Sequence, residues 1–165
     1  MSSTLRLGLP FLSAGQAQKE FFVNESLQIL DSVAAAAVEL LPQNSPPSSP
    51  AVGACYILDV APTGAWVGKA QCLASFTSGG WQFIAPVDGL MVYVKSASTW
   101  AVFRAGAWEV GKVRGSRVIL DGLQVVGSQA AAIASASGGT TVDTQARATI
   151  DQILATLRQH GLIAT

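Results

Sequence analysis

Apolar positions along this chain follow three successive periods. In the first section Leu27, Leu30, Val33, Ala34, Ala37, Val38 and Leu41 recur at helical spacing. Asn24 before them is a good N-cap, Glu25 suits a first turn, and Pro42 cannot continue a helix, so the spacing predicts an amphipathic helix ending before Pro42. Ahead of it, Ser13 to Phe22 is polar but closes on two aromatics, and Ser13 with Gln16 would form a capping box for a short helical turn. Gln43 to Pro50 (QNSPPSSP) reads as an extended linker.

From residue 51 to about 126 the period shortens. Runs of Val, Ile, Phe, Tyr and Trp are separated by Gly, Pro, Ser and Asp, which predicts short strands at Cys55 to Asp59, Leu73 to Thr77, Trp81 to Ala85, Met91 to Lys95, Trp100 to Arg104, Ala107 to Val110, Arg117 to Leu120 and Leu123 to Val126. Asp121-Gly122 is a two-residue hairpin signal between the last pair. Phe76 to Trp81 and Phe103 to Trp108 both read F-x-x-G-[GA]-W. Each predicts a hairpin with a glycine in the turn and the two aromatics as a cross-strand or diagonal pair. Two copies suggest a duplicated hairpin and fall short of a solenoid.

Gly127 to Gly139 is rich in Ala, Ser and Gly and reads as flexible. A helix follows, capped by Thr141 or Asp143 and stopped at Gly161. Ala146, Ile150, Ile153 and Leu157 alternate four and three residues apart, an a/d-type stripe one to two heptads long. So short a helix must pack on something. It either folds onto its own β module or bundles with the same helix of other copies, where Ile at both core-type positions favours three or more chains. The pattern as a whole predicts an α+β protein, mainly β: a small antiparallel β-hairpin module with an N-terminal amphipathic helix and a C-terminal helix. Its sections are 1–42, the linker 43–50, the β module 51–126 and the tail 127–165.

Composition adds a reason for the helix to find other copies. Ten basic residues balance ten acidic ones, and charged residues make up 12% of the 165 against 50% apolar. A neutral, sparsely charged surface favours association and offers no electrostatic footprint for nucleic acid. No run reaches the ~20 apolar residues of a membrane span, and Leu7 to Leu12, broken by Gly8 and Pro10, is too short for a secretory core, so synthesis in the cytoplasm is expected. Cys55 and Cys72 lack metal-site spacing and are expected as free thiols. No cofactor or metal site is expected.

Catalytic patterns are sparse. No GxSxG, HExxH, P-loop or GxGxxG context occurs. The single histidine, His160, falls in the last turn of the terminal helix, where positive charge suits the open carbonyls. Asp88 with Glu109 is the nearest approach to a glycosidase-like carboxylate pair. The chain is therefore read as no enzyme. Trp66, Trp81, Trp100 and Trp108 are the carbohydrate-contact candidates, because aromatic faces stack on sugar rings; core or subunit-interface packing is the competing reading for each. Trp66, in the loop-like run Pro62 to Gly68, is expected to be the most exposed.

The runs Leu7-Gly8-Leu9-Pro10-Phe11, Ala14 to Glu20 and Asn24-Glu25 resemble the opening of an uncharacterised domain family of phage, prophage and gene-transfer-agent structural proteins. The resemblance continues through Pro47 to Tyr56, Gly64-Ala65-Trp66 and Gly79 to Pro86 to near Trp108. Val125 to Gly127, Gly138 to Asp143, Ala146 to Ala148 and His160 to Ile163 are similar to a terminal segment of many virion proteins. The resemblance implies a particle component of fibre, head-spike or tail-tip type, located on the virion or phage-like particle and docked through its N-terminal segment, with Gln16, Gln18, Lys19, Phe21 and Phe22 as docking candidates. The expected partners are the chain itself, as a homotrimer or, at an icosahedral vertex, a pentamer, other particle proteins, and surface polysaccharide of the recipient cell; nucleic acid and membrane insertion are not expected. A carbohydrate-binding adhesin and a cell-envelope polysaccharide hydrolase are the rival readings.

Overall fold

The computed structural model describes residues 3–12, 19–34 and 36–165, Lys19 by its backbone alone. The Ser13–Gln16 capping box and the docking candidates Gln16 and Gln18 lie outside the described residues. The architecture is α+β and mainly β, with two helices and nine strands among the described residues. The chain divides into two compact units, Met1–Lys112 and Val113–Thr165. The division falls before the last hairpin, within the section 51–126.

The first unit begins with helix α1 (Lys19–Val33). The helix lies earlier than its apolar spacing suggests, and it stops before Ala37 and Val38. Those two residues form a short strand, β1 (Ala37–Val38), parallel to β5 (Met91–Val94). Alanine-rich sequence prefers a helix, but Val38 is fully buried here, and tertiary packing outweighs a propensity of tenths of a kcal/mol. Asn24, expected as an N-cap, sits inside α1. Its side chain instead accepts from the Leu12 N–H at 2.8 Å and donates to the Leu12 carbonyl at 3.1 Å.

Two sheets follow. One has the order β1-β5-β6-β7, with β6 (Thr99–Arg104) and β7 (Ala107–Val110); the other is β2-β3-β4, with β2 (Cys55–Ile57), β3 (Leu73–Thr77) and β4 (Gly80–Ile84). Alternation along the strands sends Cys55, Ile57, Leu73, Val92, Val94 and Ala101 into one core with Val38. Residues of opposite parity on the three-stranded sheet, Tyr56, Ala74, Trp81 and Phe83, build a second core with Leu58. Residues 43–50 are no free linker at their start: Gln43 bridges Leu58, and Asn44 accepts backbone N–H groups from Ala61 and Thr63. The segment is pinned because an open strand edge needs partners for its polar groups.

Both F-x-x-G-[GA]-W copies are hairpins with the aromatics directly paired, Phe76 across from Trp81 and Phe103 across from Trp108. Their turns differ. Ala105 and Gly106 both take positive φ, 49° and 81°, as a two-residue turn matched to strand twist requires. A Cβ in that region costs about 1–2 kcal/mol at Ala105. In the first copy the positive φ lies one residue later, at Gly80.

The second unit holds the hairpin β8 (Val118–Leu120) and β9 (Leu123–Val126), turned by Asp121-Gly122 at φ 49° and 79°, and helix α2 (Thr144–Gln159). Asp143 is the N-cap, accepting the Ala146 N–H at 2.9 Å, and Gly161 follows the helix with φ 68°. The stretch 127–139 is tied at its start, where Ala130 pairs with the backbone of Leu162 and Ala164. Among hydrophobic side chains of this unit only Leu154 and Ile163 are buried.

Candidate functional site

The N-terminal segment is held by one carboxylate. Asp31, nearly buried on α1, accepts the Thr4 hydroxyl at 2.8 Å and the N–H groups of Arg6 and Leu7 at 3.0 and 2.6 Å. Burying a charge requires such a full set of donors. Thr4 also exchanges bonds with Leu9, so residues 4–9 close on themselves. The Arg6 guanidinium reaches the Ser32 carbonyl and lies 3.2 Å from the sulfur of Cys55. Together with Asn24 on Leu12, these contacts fasten the strap 3–12 to α1. The strap leaves Leu5, Leu7 and Leu12 exposed, and α1 exposes Phe21 and Phe22 at 71% and 75%. Two adjacent phenylalanines so open to solvent form an apolar surface available for contact.

A cavity of about 260 Å³ opens between strap, helix and sheet, lined by Leu5, Phe11, Gln28, Val52, Phe76 and Ser78 among others. A wider groove of about 630 Å³ runs past Arg6, Pro47, Tyr56 and the ion pair of Lys95 with Glu39, 2.6 Å apart. Burial raises the Tyr56 phenol above its usual range, with Glu39 and Cys55 adding to the shift. Burial likewise pushes the Cys72 thiol up, with Lys69 opposing. Cys55 and Cys72 are both free thiols.

The tryptophans separate into different roles. Trp66, expected on the surface, is fully buried. The turn Gly64–Trp66 folds its indole over the second face of the three-stranded sheet, against Tyr56 at 5.9 Å and Trp81 at 5.2 Å between ring centroids. A loop-like composition concealed this because the sheet face must be covered by something, and the loop supplies the cover. Trp81 is half-buried in the same cluster beside Phe76 at 4.8 Å. Trp108 is half-buried and donates its indole N–H to the Gln71 carbonyl at 2.8 Å. Trp100 is the exposed member, at 50%, edge to face with Tyr93 at 5.3 Å.

Register puts Met91, Tyr93, Trp100, Val102 and Glu109 on one face of the four-stranded sheet, opposite to the buried Val92, Ala101 and Phe103. Glu109 stands 3.6 Å from the Arg104 guanidinium. Asp88 accepts the Ala105 N–H at 3.1 Å and braces the β6–β7 turn. Neither carboxylate lines the cavity or the groove. Among the described residues no three metal-ligating side chains gather, and no helix is long and apolar enough to cross a membrane.

Of the stripe residues on α2, Ala146 is exposed, Ile150 and Ile153 are 43% and 55% exposed, and Leu157 is half-buried. Leu154, next to the stripe, is the side chain that α2 buries. Residues 23–109 match a family model described as a protein of unknown function, DUF2793. The chain belongs to that family. The matched segment takes in most of α1 and all of β1 to β6, and it lies wholly within the first unit. No curated protein matches the chain.

Sequence reasoning did not find Asp31. Its signal is slight: one acidic residue in Leu30-Asp31-Ser32-Val33, whose partners, the Thr4 hydroxyl and the N–H groups of Arg6 and Leu7, lie 24 to 27 residues away.

Proposed function

We propose that this protein is a structural component of a phage-like particle, a fibre, head spike or tail-tip element, that works as a homo-oligomer and contributes to attachment at the recipient cell surface. One observation carries the self-association: Val113–Thr165 buries only two hydrophobic side chains while Ile150 and Ile153 stand exposed on one stripe of α2. A 16-residue helix is marginal alone in water, and a stripe with Ile at both core-type positions suits a parallel bundle of three copies. A pentamer is the alternative at a five-fold vertex. The resemblance of the strap and tail motifs to virion proteins supports the particle assignment. Docking to other particle proteins is assigned to the exposed Phe21 and Phe22 beside the strap. Nothing in this role calls for catalysis or a cofactor.

Native mass spectrometry of the full chain at micromolar concentration tests the oligomer. The expected species is a trimer that Ile150→Lys with Ile153→Lys converts to monomer; a wild-type monomer would overturn the reading. Images of particles made with this gene deleted test the location: a missing projection is expected, and unaltered particles would exclude it.

A carbohydrate-binding adhesin is the second reading, favoured by Trp100 and Tyr93 on an open sheet face with Glu109 and Arg104 at hand for hydroxyl groups. Capsule retention lost in Trp100→Ala would support it. Absence of retention by the wild type would remove it.

A further inference from the structure

We propose that residues 112–117 form a cleavage site for an endoprotease that cuts after basic residues, and that the cut detaches the first unit from the second. The proposal is independent of the homo-oligomer.

Charge, boundary and exposure coincide there. Lys112, Arg114 and Arg117 are three of the ten basic residues, and no acidic residue stands between Glu109 and Asp121. The first unit ends at Lys112, and the family match ends at residue 109. Both cores of the first unit lie upstream, with Val110 the last side chain packed against them. The Gly111 N–H on the Trp100 carbonyl, at 2.8 Å, closes the pairing of β7 with β6, and strand pairing resumes at Val118. Residues 111–117 are all exposed and outside helix and strand, Val113 at 99%.

A protease draws several consecutive residues into its cleft in extended form, so backbone committed to hydrogen bonds must open before it is cut. That condition separates 112–117 from the other basic residues. Arg6 belongs to the strap that Asp31 fastens. Lys19, Arg147 and Arg158 are helical, and Arg104 lies in β6. Lys95 opens a short 3-10 turn and pairs with Glu39. Lys69 is exposed, but its N–H and carbonyl both serve turn bonds, to Trp66 and Cys72.

Side-chain charge selects the enzyme class. A carboxylate at the base of a protease's specificity pocket pairs with Lys or Arg. Hydrolysis adds one water across the peptide C–N bond, leaving a carboxylate on the basic residue and an amine on the residue after it. The first product keeps both cores and all four tryptophans.

Trypsin at a limiting ratio is the probe, applied to the native full chain and to a variant carrying Lys112→Gln, Arg114→Gln and Arg117→Gln. Intact masses give the cut position, and tryptophan emission reports the fold of the first unit. The first cut is expected after Lys112, Arg114 or Arg117, with emission unchanged by cutting. The variant should lose its full-length form at least about tenfold more slowly, because each remaining basic residue must open locally first. A first cut at Lys69, Lys95 or Arg147 overturns the proposal, as does a variant cut as fast as the wild type. Emission that moves on cutting to that of the urea-unfolded chain overturns it too.

Discussion

The two units use apolar residues in opposite ways. Met1–Lys112 stacks two sheets so that one face of each meets in a core, then closes the remaining face of the smaller sheet with Trp66. Val113–Thr165 has a well-formed hairpin and a properly capped helix, yet buries little beyond Leu154 and Ile163. Both units form regular elements, and the first gathers its apolar side chains into two cores. Local signals therefore specify elements, while burial decides whether a unit stands alone.

Substitutions sharpen the contrast. The largest effect is expected from Trp66→Ala, which empties the second core and should lower the stability of the first unit by about 3–5 kcal/mol, measured by urea denaturation followed through tryptophan fluorescence. Subunit association should be unchanged, which would separate the units. Next is Asp31→Ala. It strips the acceptor from the Thr4 hydroxyl and two backbone N–H groups, with an expected cost of about 2–3 kcal/mol and rapid proteolysis of residues 3–12 as the local readout.

Asp143→Ala removes the α2 cap. It should cost about 1 kcal/mol, seen as weaker helicity of the second unit with the first unit's melting temperature unchanged. The smallest effect is expected at alkaline pH. The Tyr56 phenol is raised above 10.0 in the folded chain, so the folded state holds that proton more tightly than the unfolded state. The corresponding stability is complete below pH about 10 and is lost as pH climbs through the folded value. Alkaline melting of the first unit should therefore be shallower in Tyr56→Phe.

Much of this fold is legible in the sequence where the demand is local. All eight expected strands exist within a residue or two of their apolar runs, and the Phe–Trp pairing and the Asp121-Gly122 turn follow from turn chemistry. Asp143 was one of two possible caps for α2, and the structure selects it. What stayed hidden depends on distant partners. Ala37–Val38 becomes a strand because β5, far along the chain, offers an edge. Trp66 is buried because the face opposite the main core needs a lid. The candidate surfaces divide likewise: the α2 stripe was visible as spacing, whereas Trp100 as the open tryptophan and Asp31 as the strap's anchor required three-dimensional placement.

Sedimentation velocity of the intact wild-type chain across nanomolar to micromolar concentration tests the central claim most directly, that Val113–Thr165 completes its core with other copies. The expected result is a discrete oligomer, three chains by mass, that dissociates on dilution. A single species of monomer mass over the whole range, with α2 fully helical, would contradict it.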